Sequence, residues 1–297
     1  MDKREFLAAS IGLSWSAARA AFAQETSAAP PRNGRRQATK IPTRKAKTTK
    51  LFKSPDGLPN GVAATPEGLW IGEQKLSGAT AAAYHLPEPK SLTEQAWLVD
   101  WKGKLLKTVS TPSRNTSGMA VGGGYVWMGA NAPPQGIFQV DMNSKLVSHR
   151  QIPLGTAADG GGCHGALWNE GKLWIVANRL RGLLRVDSTT WEPEFMIPIY
   201  QAEGRNRYHG IAWDNGAIWQ ITGNDSKNYA EGQAGLVKYD AATGRVLELV
   251  DFLPGSADPH GLAMHDGALI SCDAGIHPGW PNFDSPSSGW IFRIDLV

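Results

Sequence analysis

Glycine, a short apolar run, a polar turn and a second apolar run recur along this chain at a steady interval. Gly61, Gly118, Gly165, Gly210 and Gly261 open the pattern, each followed by small or apolar residues such as Val62-Ala63 and Ile211-Ala212. Nine positions later stand Trp70, Trp127, Trp174, Trp219 and, in the fifth copy, Ile270. A glycine turn lies between, and a third apolar stretch ends at Asp100, Asp141, Asp187, Asp240 or Asp295. Apolar runs this short, bounded by turn residues, predict β-strands. Asp240-Ala241-Ala242-Thr243-Gly244 and Asp187-Ser188-Thr189-Thr190 predict turns into a fourth strand, with the Asp as turn cap.

The glycine anchors are spaced by 57, 47, 45 and 51 residues. That is one four-stranded propeller blade with its loops. The expected fold is therefore all-β, a five-bladed β-propeller over residues 49–297. The fifth repeat ends after its third strand, at Trp290 to Val297. Lys50-Leu51-Phe52-Lys53 supplies the missing outer strand, so pairing of the two ends closes the ring and removes an exposed edge. The tryptophans of the second strands pack between neighbouring blades. Trp168 and Trp213, three residues after their anchors, either pack or line the channel.

Composition sharpens this picture. Hydrophobic residues are 41% and charged residues 19%, with 34 Gly and 12 Trp, which excludes a disordered or coiled-coil chain. Two cysteines are too few for a disulfide scaffold. Met1 to Ala23 reads as a signal peptide, with Lys3 and Arg4 as its positive region and Ala21-Phe22-Ala23 as the cleavage site. Lys3-Arg4-Glu5-Phe6-Leu7 resembles a twin-arginine export signal with Lys in place of the first Arg. The expected location is periplasmic or secreted. Residues 24–48 form a basic flexible arm suited to an anionic surface. Residues 1–53 carry 12 of the 30 basic and 3 of the 27 acidic residues, so the remaining body has a net charge of −6. That body disfavours a nucleic-acid groove, and no apolar run past the N-terminus reaches membrane-spanning length.

Candidate chemistry gathers on one face. The first strand of a propeller blade lines the channel, so the residues just before the anchors converge at its mouth: Asn60, Ser117, His164, His209 and His260. Imidazole ligates transition metals and carries protons near neutral pH. The same histidines can instead bond a neighbouring blade's backbone and hold the ring. The second strands end at the same rim with Glu73, Gln74, Asn131, Asn178, Asn224, Asp225 and Asp273. Glu73 and Asp273 occupy equivalent positions on blades that meet at the closure, which brings two carboxylates towards each other. Long loops after the second strands place Tyr84, Tyr229, Trp280 and Phe283 as walls of a substrate pocket. Arg179, Arg181, Arg205 and Arg207 can receive an anionic group. Cys163 and Cys272 are read as buried thiols. Paired zinc cysteines, HExxH, GxSxG and a phosphate-binding glycine loop are absent.

Leu58-Pro59-Asn60-Gly61, His209-Gly210-Ile211-Ala212-Trp213 and Gly235-Leu236-Val237-Lys238-Tyr239-Asp240 resemble blades of the superfamily of virginiamycin B lyases, gluconolactonase-like propellers and NHL-repeat proteins. The resemblance covers residues 50–297. Likeness to the lyases implies a metal and a catalytic histidine at the channel mouth, with His209 or His260 as base and Glu73 or Asp273 helping to hold the metal. That family has seven blades. Likeness to the six-bladed gluconolactonase-like enzymes implies a metal site with Asn60, Asn178 and Asp273 as counterparts, and the histidine triplet departs from it. Plant-type glutaminyl cyclases share the count of five, and their pocket glutamate has a counterpart only in Glu73.

The expectation is thus an exported, metal-assisted lyase or hydrolase of a small ester, lactone or ether-like molecule. His209, His260 and Glu73 are its catalytic residues. Tyr84, Asn131, Asn178, Arg179, Tyr229 and Trp280 bind substrate. His164, His209, His260 and Asp273 hold a divalent metal ion. The alternatives are a non-catalytic propeller that binds a ligand or protein on this face, and a copper or iron redox protein with the histidines as ligands.

Overall fold

The first four sequence repeats each become a run of four antiparallel strands, and the fifth a run of three, in the computed structural model, which describes residues 40–154, 162–201, 205–223, 234–276 and 285–297. After an N-terminal strand β1 (Thr43–Lys53), the first run comprises β2 (Leu58–Thr65), β3 (Gly68–Gln74), β4 (Glu94–Val99) and β5 (Leu105–Thr111), with the short helix α1 (Gly78–Ala83) between β3 and β4. The second comprises β6 (Thr116–Gly122), β7 (Tyr125–Ala130), β8 (Gly136–Asp141) and β9 (Leu146–Arg150). The third comprises β10 (Cys163–Asn169), β11 (Lys172–Ala177), β12 (Gly182–Asp187) and β13 (Pro193–Pro198). The fourth comprises β14 (Arg207–Asp214), β15 (Ala217–Gly223), β16 (Gly235–Asp240) and β17 (Val246–Phe252). The fifth has β18 (Leu262–His265), β19 (Ala268–Cys272) and β20 (Trp290–Leu296).

Three runs are separate four-stranded sheets. The others join in an eight-stranded sheet ordered β14-β15-β16-β17-β1-β20-β19-β18. There β1 pairs antiparallel with β20, Lys50 opposite Phe292 and Lys53 opposite Trp290, so the N-terminal strand completes the last repeat. It also pairs parallel with β17 over Thr43 to Ala46. Thr43 to Thr48 therefore belong to the sheet, and the basic arm is shorter than residues 24–48. Charge misled here because backbone pairing on both edges holds this strand while most of its side chains face outward. Residues 1–39, with the expected signal peptide and most of the arm, lie outside the described residues. No described helix is long and apolar enough to cross a membrane.

The turns between first and second strands show why the repeats contain glycine there. Glu170-Gly171, Asn215-Gly216, Asp266-Gly267 and Gly123-Gly124 all have positive φ at both positions. This is the tight turn whose twist matches a β-hairpin. Asp100, Asp141, Asp187 and Asp240 cap turns as expected, whereas Asp295 accepts from the side chains of Thr49 and Arg293. Asp100 Oδ1 accepts from the amides of Lys102 and Lys104 at 2.9 Å, and Asp240 Oδ1 from those of Ala242 and Thr243 at 3.1 and 2.8 Å.

Five apolar clusters lie between neighbouring runs. Trp70 packs with Met119, Val126 and Met128, and Trp127 with Ala166, Leu173 and Ile175. Trp174 packs with Ile211, Ile218 and Val237, and Trp219 with Leu262 and Leu269. Ile270 packs with Val62, Leu69 and Ile71, which joins the fifth run to the first. Truncating any of these tryptophans to alanine is expected to cost roughly 3–5 kcal/mol. Trp168 resolves to packing: its ring lies over Gly122 and stacks on Trp127 at 5.8 Å. The result is a propeller-like β fold. The anchor glycines explain its tight centre. A methyl at Gly61 would lie 2.8 Å from Met119 Cβ, at Gly210 2.4 Å from Leu262 N, and at Gly261 2.6 Å from Val62 N. Only hydrogen fits where the first strands approach so closely.

Candidate functional site

In the first four repeats the residue before the anchor glycine sits at a strand irregularity. Pro59 faces Glu73 and Gly61 faces Gly72, so Asn60 is an extra residue without an opposite number. Ser117 is extra in the same way between Thr116 and Gly118. The pairings Cys163 to Ala177 and Ala166 to Ile175 leave His164 and Gly165 opposite one residue, and His209 and Gly210 repeat this. Such bulges re-aim side chains. Asn60, Ser117, His164 and His209 at these bulges, and His260 just before β18, line one cavity of about 350 Å³, as the spacing predicts. Gln74, Asn115, Asn131 and Arg207 share its polar wall, and Leu76, Tyr84 and Ile276 its apolar one.

The histidines form a connected row. The rings of His164 and His209 are 5.0 Å apart, and those of His209 and His260 4.7 Å. The Tyr208 carbonyl beside the His164 ring favours its proton, and the buried Nδ1 has no hydrogen-bond partner. Burial, His260 and Arg207 lower its pKa to about 4. His260 Nδ1 lies 3.3 Å from the Asp258 carbonyl, and burial above all lowers its pKa to about 4 as well.

Opposite stands a network of amides. Asn60 Nδ2 and Asn131 Nδ2 both donate to Ser117 Oγ, at 3.1 and 3.0 Å, and Gln74 donates to Asn115. Asn60 Oδ1 has no hydrogen-bond partner.

A buried carboxylate supports each side. Glu94 is fully buried and accepts the amides of Lys75, Asn115 and Thr116 at 2.8, 2.7 and 2.9 Å. Burial pushes its pKa up to about 7 against the pull of these donors. Asp258 is fully buried and grips Arg207, with Nη1 3.2 Å from Oδ2 and Nη2 on Oδ1. Sequence reasoning missed both carboxylates. Asp258 left a signal, since it stands three residues before Gly261 as Arg207 stands three before Gly210. Glu94 left none, as its partners are distant in sequence or are backbone.

The other expected site residues divide. Tyr84 and Asn131 line the axial cavity. A second cavity of about 410 Å³ is lined by Asn178 and Arg179 together with Asn115, Asn131, Gln135, Gly162 and His164. Tyr229, Trp280, Phe283, Asn224 and Asp225 lie outside the described residues. Glu73 and Asp273 line neither cavity. Glu73 lies against Gly57 and 3.3 Å from Lys75 Nζ, and burial raises its pKa. Asp273 accepts from Ser285 Oγ at 2.6 Å and from the amides of Gly275 and Asp258 at 2.7 and 3.1 Å. Burial and the neighbouring Asp258 push its pKa up to about 7. Each carboxylate is thus occupied in its own loop.

The expected metal set is not assembled. Asp273 faces its loop, His260 Nδ1 faces the Asp258 carbonyl, and Arg207 is a cation in the same wall. Among the described residues, no three His, Cys, Asp or Glu side chains are disposed to hold a metal ion. Cys163 and Cys272 are free and buried, and burial pushes the Cys163 thiol up to about 12.

No family model and no curated protein matches the chain. Among solved structures it is similar to Myxococcus xanthus glutaminyl cyclase, at 11% identity over 86% of this chain and 98% of that one, with a TM-score of 0.56. It is also similar to Kuenenia stuttgartiensis hydrazine synthase, at 13% identity over 74% and 58% of the two chains, with a TM-score of 0.44. The computationally designed Ika4 protein gives 12% identity over 63% and 92%, with a TM-score of 0.38. The first likeness shows the fold alone.

Proposed function

We propose that this chain is an exported five-bladed β-propeller enzyme that performs acid–base chemistry, of lyase or hydrolase type, on a small polar molecule in its axial cavity. The blade count is supported by the four-strand runs, the five apolar clusters and the close approach of successive anchor glycines. The observation that carries the chemistry is His164 Nδ1, an acceptor without a partner beside two further imidazoles. It is the base in this reading. A base whose conjugate acid is weakly favoured stays unprotonated at neutral pH and takes a proton from a bound C–H or from water. Ser117 and the amides orient the substrate's oxygens. In this reading no step is routed through a metal.

The test is conversion of a panel of small esters, lactones and β-substituted carbonyl compounds, read by mass spectrometry. Wild type should convert a member, and His164→Ala should lose about 10²–10⁴-fold. Equal conversion by the variant contradicts the reading. The binding-only alternative is favoured by the backbone contacts of His164 and His260, which suit ring stapling. Saturable binding without conversion would select it. Export predicts a mature N-terminus at Gln24.

A further inference from the structure

We propose that the second cavity seats the anionic end of the substrate, so that the site takes an elongated, hydroxylated carboxylate whose reactive carbon lies at His164. This rests on the acid–base reading and names its substrate class.

Two arginines border the two cavities, and their surroundings differ. Arg207 is buried in the axial wall, and Asp258 binds its guanidinium through both carboxylate oxygens. Its charge is matched inside the protein, which fixes the wall and leaves little attraction for a ligand. Arg179 is exposed on the turn after β11 and faces the second cavity. Among the described residues it has no carboxylate partner. An unmatched guanidinium in a cavity wall is a fork for a carboxylate. Among the described residues, no Asp or Glu lines either cavity to repel one.

The acceptors set the remaining requirement. Asn178 Oδ1 and His164 Nδ1 are both without a hydrogen-bond partner, and both residues line the second cavity. The side-chain amides of Asn115, Asn131, Gln135 and Asn178 in the lining offer hydrogen-bond partners to a ligand's hydroxyls. Asn115, Asn131 and His164 line both cavities, so a ligand that reaches from one into the other passes the His164 ring. An oxyanion at one end and hydroxyls along its length describe a polyhydroxy carboxylate. The apolar wall of Leu76, Tyr84 and Ile276 leaves room for an uncharged far end.

The experiment is isothermal titration calorimetry of the full chain with xylonate and with xylitol, which share hydroxyls and differ in the carboxylate. Xylonate should bind wild type at least about tenfold more tightly than xylitol does, one factor of ten being about 1.4 kcal/mol. Arg179→Gln should abolish that preference, and Arg179→Lys should retain part of it by keeping charge without the fork. The turn is exposed, so an unchanged melting curve confirms that these variants fold. Equal binding of the two compounds to wild type, undetectable xylonate binding, or an undiminished preference in Arg179→Gln overturns the proposal. Carboxylate-selective binding without conversion of any compound leaves the anion seat at Arg179 standing and sinks the acid–base reading together with the reactive carbon at His164. Conversion of an uncharged ester that Arg179→Gln does not alter does the reverse.

Discussion

The two sides of the axial cavity hold the same backbone geometry and opposite chemistry. Asn60 and Ser117 occupy the position before the anchor glycine on one side, and His164, His209 and His260 on the other. The amide side is tied together through Ser117 Oγ, which accepts from Asn60 and Asn131, while Asn60 Oδ1 is left without a partner. The imidazole side leaves His164 Nδ1 without a partner. Each side rests on its own buried carboxylate, Glu94 under the amides and Asp258 under the imidazoles. The repeat thus sets where a side chain points, and the residue at that position decides whether it builds or reacts.

The comparison can be broken first at its supports. Asp258→Ala should cost about 3–5 kcal/mol, because Arg207 is left as an unmatched buried charge. Glu94→Gln should cost about 1–3 kcal/mol, since one oxygen is lost to amides that have no other acceptor. Chemical denaturation measures both. An Asp258 variant no less stable than wild type would remove the imidazole side's proposed support.

A smaller effect separates the sides by pH. His164 and His260 have pKa values of about 4, below the unfolded 6.5. Their contribution is present above about pH 6.5 and is lost as pH falls towards 4. Glu94 and Asp273 are raised to about 7. Their contribution is present below about pH 4 and is lost as pH rises through 7. Melting curves of His164→Gln/His260→Gln across this range should show a flattened acid limb, and those of Glu94→Gln a flattened neutral limb. Ser117→Ala should cost only about 1 kcal/mol, as two amides lose one shared acceptor. Least of all, chelation should leave the melting temperature unchanged, and a fall of several degrees would restore the expected metal set.

The anchor glycines, hairpin turns and second-strand tryptophans were legible because each repeat faces the same steric demand. A methyl at Gly210 or Gly261 meets backbone, so the pattern recurs wherever first strands touch. The convergence of Asn60, Ser117 and the histidines was legible for the same reason. Glu94 and Asp258 were not, because their roles come from amides and a guanidinium brought in by the fold. Asp273 read as a ligand because it ends a second strand, yet local donors in its own loop turn it away. The strand at Thr43 was hidden by its charge, since backbone pairing, the buried Ala46 and ion pairs from Arg44 and Lys45 to the neighbouring strand hold it.

The central claim is that His164 stands in the cavity wall as a neutral imidazole with an unprotonated Nδ1. Long-range proton–nitrogen NMR of the histidine rings at pH 7 tests it directly, with His164→Gln to assign the signal. The account predicts the Nε2–H tautomer with a free Nδ1. A charged ring, or a proton on Nδ1, would contradict it.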